Sequence, residues 1–240
     1  MKEELIRGLL YFSMPFLTPM PGNVSMRKFS AVIVSFCLAA VFAKEPLHEL
    51  VELVTLDPTI KLDIRYVTDR NFAGRSVYPE ARAFLQCPAA AALLEAHSWL
   101  KAQGFGIVVY DAYRPWSVSK LFWELTPPSR RKYVANPSKG SGHNRGCAVD
   151  VGLFELRSGR ELEMPSSYDE MSGRSSISYA GGTAEQRNHR DLLRRAMERK
   201  GHFKVYPPEW WHYTYRNCRK YGILDIPFAA IVPAGGKPCI

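Results

Sequence analysis

Ser141-Gly142-His143-Asn144-Arg145-Gly146-Cys147-Ala148-Val149-Asp150 places an imidazole in a glycine-bounded turn and a carboxylate on the apolar stretch that follows. Cys147 to Leu156 reads as a strand. Arg157-Ser158-Gly159-Arg160 supplies turn residues, and Glu161 to Met164 would return as the second arm of a hairpin. A chain turning in this way can bring His143 and Asp150 together. Farther along, Glu209-Trp210-Trp211-His212 follows Pro207-Pro208, and Trp210 to Tyr215 reads as a final strand. Residues three apart on a flat strand face opposite sides, so Glu209 is expected in the Pro-led turn and only His212 on the strand.

These two segments offer two imidazoles and a carboxylate, with a further carboxylate in Glu209. Catalytic zinc is commonly held by three such groups, leaving a position open for water whose pKa falls to about 7. A nearby carboxylate that is not a ligand can move that water's proton. Spacing alone leaves a second reading open. In it His143 is a loop histidine, Asp150 a cap or turn residue, and His212 a strand histidine packed among Trp210, Trp211 and Tyr213. His48, His97, His189 and His202 have no partner pattern and are read as structural.

Outward from the two segments, Leu50 to Thr55 and Ile60 to Tyr66 read as short strands or extended pieces. Pro88 to Gln103 is rich in Ala and Leu, opens with Pro and stops at Gly104, which predicts a helix. Phe105 to Tyr110 reads as a buried strand. Ser117 to Leu125 predicts a helix ended by Pro127-Pro128. Thr183 with Gln186 three residues later forms a capping-box pattern ahead of a helix from Ala184 to Lys200, closed by Gly201. The mixed, non-alternating order favours an α+β single domain with a central antiparallel sheet and flanking helices.

At 240 residues, with 46% hydrophobic and 23% charged residues, the chain has an ordinary globular composition. Met26-Arg27-Lys28 followed by Phe29 to Phe42 and Val41-Phe42-Ala43 has the form of an export signal, with translation expected to start at Met26 and processing after Ala43. This predicts an N-terminal extension and signal at 1–43, a domain at 44–240, an exported, periplasmic protein, and no stable membrane span after processing. The formal charge is +9. Losing residues 1–43 removes four cations and two anions and leaves +7. An anionic wall polymer would suit that charge. No zinc-finger, RRM or helix-turn-helix pattern accompanies it, so no nucleic-acid partner is expected. Cys87, Cys147, Cys218 and Cys239 permit disulfides in an exported chain. A Cys218–Cys239 bridge clipping the C-terminal tail is preferred, with Cys147 a small packed residue.

Ser-x-His-(x)6-Asp followed by Glu-x-x-His resembles the zinc D,D-peptidase family, which includes D-alanyl-D-alanine carboxypeptidases and VanX-type D-alanyl-D-alanine dipeptidases. The dipeptidase branch is favoured by Leu62-Asp63-Ile64-Arg65-Tyr66, Asn71-Phe72-Ala73-Gly74, Tyr110-Asp111-Ala112-Tyr113-Arg114-Pro115, Met164-Pro165-Ser166-Ser167-Tyr168-Asp169 and Glu209-Trp210-Trp211-His212-Tyr213. The resemblance runs from about Leu50 to Phe228 and implies a hedgehog/D,D-peptidase-like fold. It implies one zinc per chain on His143, Asp150 and His212, with Glu209 as general base and acid. Arg114 would stabilise the oxyanion, an ion pair to Asp111 being the alternative. It further implies a small dipeptide substrate whose ammonium meets Asp169 with Tyr66 close by, and whose carboxylate meets Ser141. A loop cap and a buried ring are the alternative for Asp169 and Tyr66. Against relatives, the Thr126 to Lys139 connection is short, Gly142 stands where many carry Ser, and Cys147 is unusual. The implied activity is D-alanyl-D-alanine hydrolysis in wall-peptide turnover. A D,D-carboxypeptidase acting on stem peptides, or a non-catalytic zinc module that binds wall peptides, are the alternatives.

Overall fold

The computed structural model describes residues 49–232. The expected signal and processing point, His48 and Cys239 lie outside them. Contacts divide the chain into two units, 1–43 and 44–240, and every described residue belongs to the second.

The chain opens with β1 (Leu50–Glu52), passes through one helical turn, α1 (Leu53–Leu56), and continues into the short β2 (Lys61–Leu62). The extended reading of Leu50 to Thr55 is therefore corrected at Leu53, where the chain turns back once Leu53 N–H has donated to Ala83 O. The predicted run Ile60 to Tyr66 keeps only two strand residues and then tightens into a 3-10 turn, Arg65–Val67. β3 (Phe84–Gln86) pairs antiparallel with β1 as a separate two-stranded sheet.

α2 (Cys87–Lys101) has Pro88 in its first turn, where a missing N–H leaves no carbonyl unpaired. Its Ala and Leu residues face the core. Gly104, at φ +87°, makes the reversal into β4 (Phe105–Asp111). α3 (Trp116–Leu125) starts directly after Pro115. β5 (Ala148–Glu155) follows the glycine-bounded turn. The expected hairpin arm is present in shortened form: Glu161 bridges Phe154, with Glu155 N–H donating to Arg160 O and Leu162 N–H to Leu153 O. α4 (Ala184–Arg199) carries the predicted capping box, with Thr183 and Gln186 exchanging side-chain and backbone bonds. β6 (Phe203–Tyr206) and β7 (Glu209–Tyr215) close the sheet around a Pro207-Pro208 turn.

The main sheet runs β2-β4-β5-β7-β6. Three of its pairings are antiparallel and the β2–β4 edge pairing is parallel. α2 and α4 pack against the sheet and each other. Along β5, Val149, Val151 and Leu153 alternate with Asp150 and Gly152, and Tyr213 pairs with Val149 while His212 pairs with Asp150. Period two thus sends Asp150 and His212 to one face, away from the apolar row. This α+β architecture matches the expected fold class.

Cys147 and Cys218 form a disulfide with Cα atoms 5.4 Å apart, which corrects both the Cys218–Cys239 preference and the reading of Cys147 as a small packed residue. The reason is the register: antiparallel pairing of β5 with β7 sets the residue before β5 beside the turn after β7. Cys147 O accepts from Tyr215 N–H at that point. Cys87 is disulfide-bonded as well.

Candidate metal and catalytic site

Three neighbouring strands build the floor of the site. Asp111 on β4 sits opposite Asp150 on β5, and Asp150 sits opposite His212 on β7. A register irregularity between Val109 and Asp111 brings Asp111 into that row. His143 enters from the 3-10 turn His143–Arg145, which ends at Gly146 with φ +66°. An L side chain is disfavoured at that φ, and a Cβ there would lie 2.5 Å from Leu50 Cδ2.

One Oδ of Asp150 is 2.9 Å from His212 Nδ1 and 3.3 Å from His143 Nε2, and the two imidazole nitrogens are 3.1 Å apart. Ligand atoms of the three residues all lie within 4.8 Å of one another. His143 Nδ1 is 2.6 Å from Ala112 O, so that nitrogen carries the proton and donates it, leaving Nε2 free as a ligand. Two imidazoles and a carboxylate, buried or half-buried, are a donor set that fits zinc. Burial would raise the Asp150 carboxyl, but the imidazoles of His143 and His212 more than offset it and hold it well below the usual carboxylate range.

Glu209 lines the same cavity, of about 230 Å³, as His143, Asp150 and His212. It does so from the first residue of β7, not from the preceding turn as expected. Beyond Val205–Tyr213 the β6–β7 ladder resumes only at Tyr206–Glu209, so Trp210, Trp211 and His212 have no partner on β6. That irregularity lets two residues three apart face one space. Burial pushes the Glu209 carboxyl up to about 7, against the opposing pull of His212.

Arg114 also lines the cavity. Its Nε and Nη2 both donate to Asp111 Oδ2, at 3.0 and 2.6 Å. The ion pair considered as the alternative role is therefore present, and it holds the guanidinium at the cavity wall. Tyr78 donates to the other Asp111 oxygen at 2.7 Å, and the rings of Tyr66 and Phe122, themselves neighbours, lie against the guanidinium.

Tyr66 is buried and its hydroxyl donates to Asp169 Oδ2 at 2.9 Å. Asp169 adopts φ 59°, and burial together with Asp150 raises its carboxyl to about 7. Both line the cavity, as does Ser141. Ser141, however, directs its N–H and its hydroxyl to Asn144 Oδ1. Among the other histidines, His97 is structural as expected, its Nδ1 accepting from Ile107 N–H within the core.

The sequence reading overlooked Tyr168, whose hydroxyl donates to Asp150 Oδ2 at 3.0 Å. It also overlooked the presence of Lys132, Tyr133, Tyr206 and Trp211 along the cavity. The position of Tyr168 next to Asp169 was the available clue.

Residues 47–222 match the family model described as D-ala-D-ala dipeptidase. The chain belongs to that family. As a member of the D-ala-D-ala dipeptidase family it is a peptidase-type hydrolase. It is 32% identical to the D-alanyl-D-alanine dipeptidase of Escherichia coli (strain K12), over 78% of this chain and 95% of that protein. The enzymes of that name from Enterococcus faecium and Enterococcus faecalis are 33% and 35% identical, over 66% and 64% of this chain and 87% and 85% of theirs. Among solved structures, an LD-carboxypeptidase aligns over 71% of each chain at 18% identity and a TM-score of 0.37. Among the described residues of this family member, no helix is long and apolar enough to cross a membrane.

Proposed function

We propose that the chain hydrolyses D-alanyl-D-alanine to two D-alanines, using one zinc held by His143, Asp150 and His212. The observation that carries this reading is the convergence of that triad with Glu209 and Arg114 on one small cavity. Relatives named for the same substrate support the choice of dipeptide.

Zinc at this triad would polarise the scissile carbonyl and acidify water. Glu209 takes one proton from the attacking water as its oxygen adds to the carbonyl carbon. It then returns that proton to the departing nitrogen as the C–N bond breaks. A carboxyl raised to about 7 suits both directions of transfer near neutral pH. Arg114, fixed by Asp111, offers its guanidinium to the oxygen that gains negative charge. The Asp169 carboxyl, bonded to Tyr66, is the partner for the substrate ammonium.

The basic-then-apolar run from Met26 to Phe42 supports export to the periplasm, where wall turnover would supply the dipeptide. The test is D-alanine release by zinc-loaded protein from D-alanyl-D-alanine and, in parallel, from a pentapeptide stem. Release from the dipeptide, lost in Glu209→Ala, is expected. Release from the stem alone would move the activity to carboxypeptidase, and silence on both would leave a wall-peptide binding module.

A further inference from the structure

We infer that Lys132, at the mouth of the cavity, supplies the countercharge for the substrate's free carboxylate, an inference that rests on the dipeptidase reading. A free dipeptide is a zwitterion, and its carboxylate must enter a cavity lined by Asp150, Asp169, Glu170 and Glu209. With zinc on Asp150 and the ammonium on Asp169, Glu170 and Glu209 still repel that carboxylate unless a cation meets it. Two permanent cations line the cavity, Arg114 and Lys132.

Arg114 is already committed, with two of its nitrogens on one oxygen of Asp111 and the neighbouring rings of Tyr66 and Phe122 packed against it. The Ser141 hydroxyl is engaged with Asn144. Lys132 is exposed on the 3-10 turn Pro128–Tyr133. Among the described residues, the lysines that pair with a carboxylate are Lys101 and Lys120, not Lys132. Its ammonium lies 5.0 Å from the ring centroid of Tyr133, another cavity residue. From Thr126 to Gly142 the chain carries Arg130, Arg131, Lys132 and Lys139 and no acidic residue. Of these cations Lys132 is the one that lines the cavity. An ammonium on a flexible four-carbon stem can follow a carboxylate through the opening, which a fixed guanidinium cannot do.

The experiment compares zinc-loaded wild type, Lys132→Met and Lys132→Arg on D-alanyl-D-alanine and on its C-terminal amide, which has the same scissile bond without the negative charge. Wild type is expected to prefer the acid. Lys132→Met should reduce the acid-over-amide ratio of kcat/KM about fivefold, through KM for the acid, as suits a partly exposed ion pair. Lys132→Arg should retain most of the ratio, and raising the ionic strength should erode it in wild type. An acid-over-amide ratio that Lys132→Met leaves unchanged overturns the assignment while the dipeptidase reading stands. A wild type inactive on both substrates overturns that reading and this assignment with it.

Discussion

Tyr168 and Asp150 are joined by a hydrogen bond of 3.0 Å that links the loop bearing Asp169, the proposed ammonium partner, to the floor of the candidate metal site. The donor touches the carboxylate oxygen that the histidines leave free, since His212 Nδ1 and His143 Nε2 both approach the other oxygen. Such an outer partner orients a ligand and tunes its basicity. Tyr168→Phe should therefore weaken zinc binding about tenfold while the fold is kept. Competition against a chelator of known affinity reads this directly, and an unchanged affinity would remove Tyr168 from the account.

Asp150 is bracketed by two imidazoles in the middle of the sheet. Asp150→Asn should lower zinc content from one per chain to well below that at equal total metal, and D-alanine release should fall by more than 100-fold, an order-of-magnitude expectation for losing a ligand and its charge together. Elemental analysis beside the rate assay checks both. Treating wild type with a chelator should reproduce the loss of activity, and added zinc should restore it.

Glu209 works as a base only when ionised. With its carboxyl near 7 in the protein alone, kcat/KM should fall as pH drops through that region. A bound divalent cation favours the carboxylate, so the acid limb of the loaded enzyme should lie at or below pH 7. An acid limb that Glu209→Gln leaves in place would exclude Glu209 as the group whose protonation limits the rate. Glu209→Gln should cost at least 100-fold in kcat, the order associated with losing a general base, with zinc still bound.

Asp169 makes the opposite demand on stability. Its carboxyl ordinarily titrates at 3.8, and in the folded protein at about 7. Between these values the folded state holds a proton that the unfolded chain has released, so stability falls as pH rises. The contribution is complete below about pH 4 and gone above about pH 7. Asp169→Asn should flatten this part of the Tm-against-pH curve and gain most relative to wild type at pH 8, while weakening dipeptide binding. A difference in Tm that does not vary with pH would show that Asp169 does not carry the effect.

The Cys147–Cys218 bond spans 71 residues of sequence. Loop-closure entropy assigns a cross-link of that span about 4 kcal/mol. The Cys147→Ser, Cys218→Ser double variant should unfold at a correspondingly lower denaturant concentration, with the slope checked for changes in the unfolded state.

Much of the candidate site was legible in the sequence because His143 with Asp150, and Glu209 with His212, each sit within one short segment. The longer helices were legible too, since Pro88 and the Thr183–Gln186 pair mark their starts. What escaped depends on pairing between distant segments. FKVY at Phe203–Tyr206 alternates buried and exposed residues, but four residues after Gly201-His202 are too few to announce a strand. Leu53 to Leu56 is apolar enough for a strand, yet a tertiary bond turns it into a helix. The place of Glu209 on β7 follows from an irregular ladder that no local pattern reveals. The Cys147 bridge likewise follows from the β5–β7 register, which becomes visible only once Asp150 is set against His212.

That row of Asp111, Asp150 and His212 across β4, β5 and β7 has a consequence for how such an enzyme can diversify. Asp150, His212 and Glu209 belong to the inner strands, while Lys132, Tyr133 and Asp169 belong to connecting segments. Insertions or substitutions in those segments can reshape which molecules enter without disturbing the framework on which bond cleavage depends. Selectivity and reactivity are thus separately heritable in this chain, and the same sheet can be refitted to new peptides by altering its borders alone.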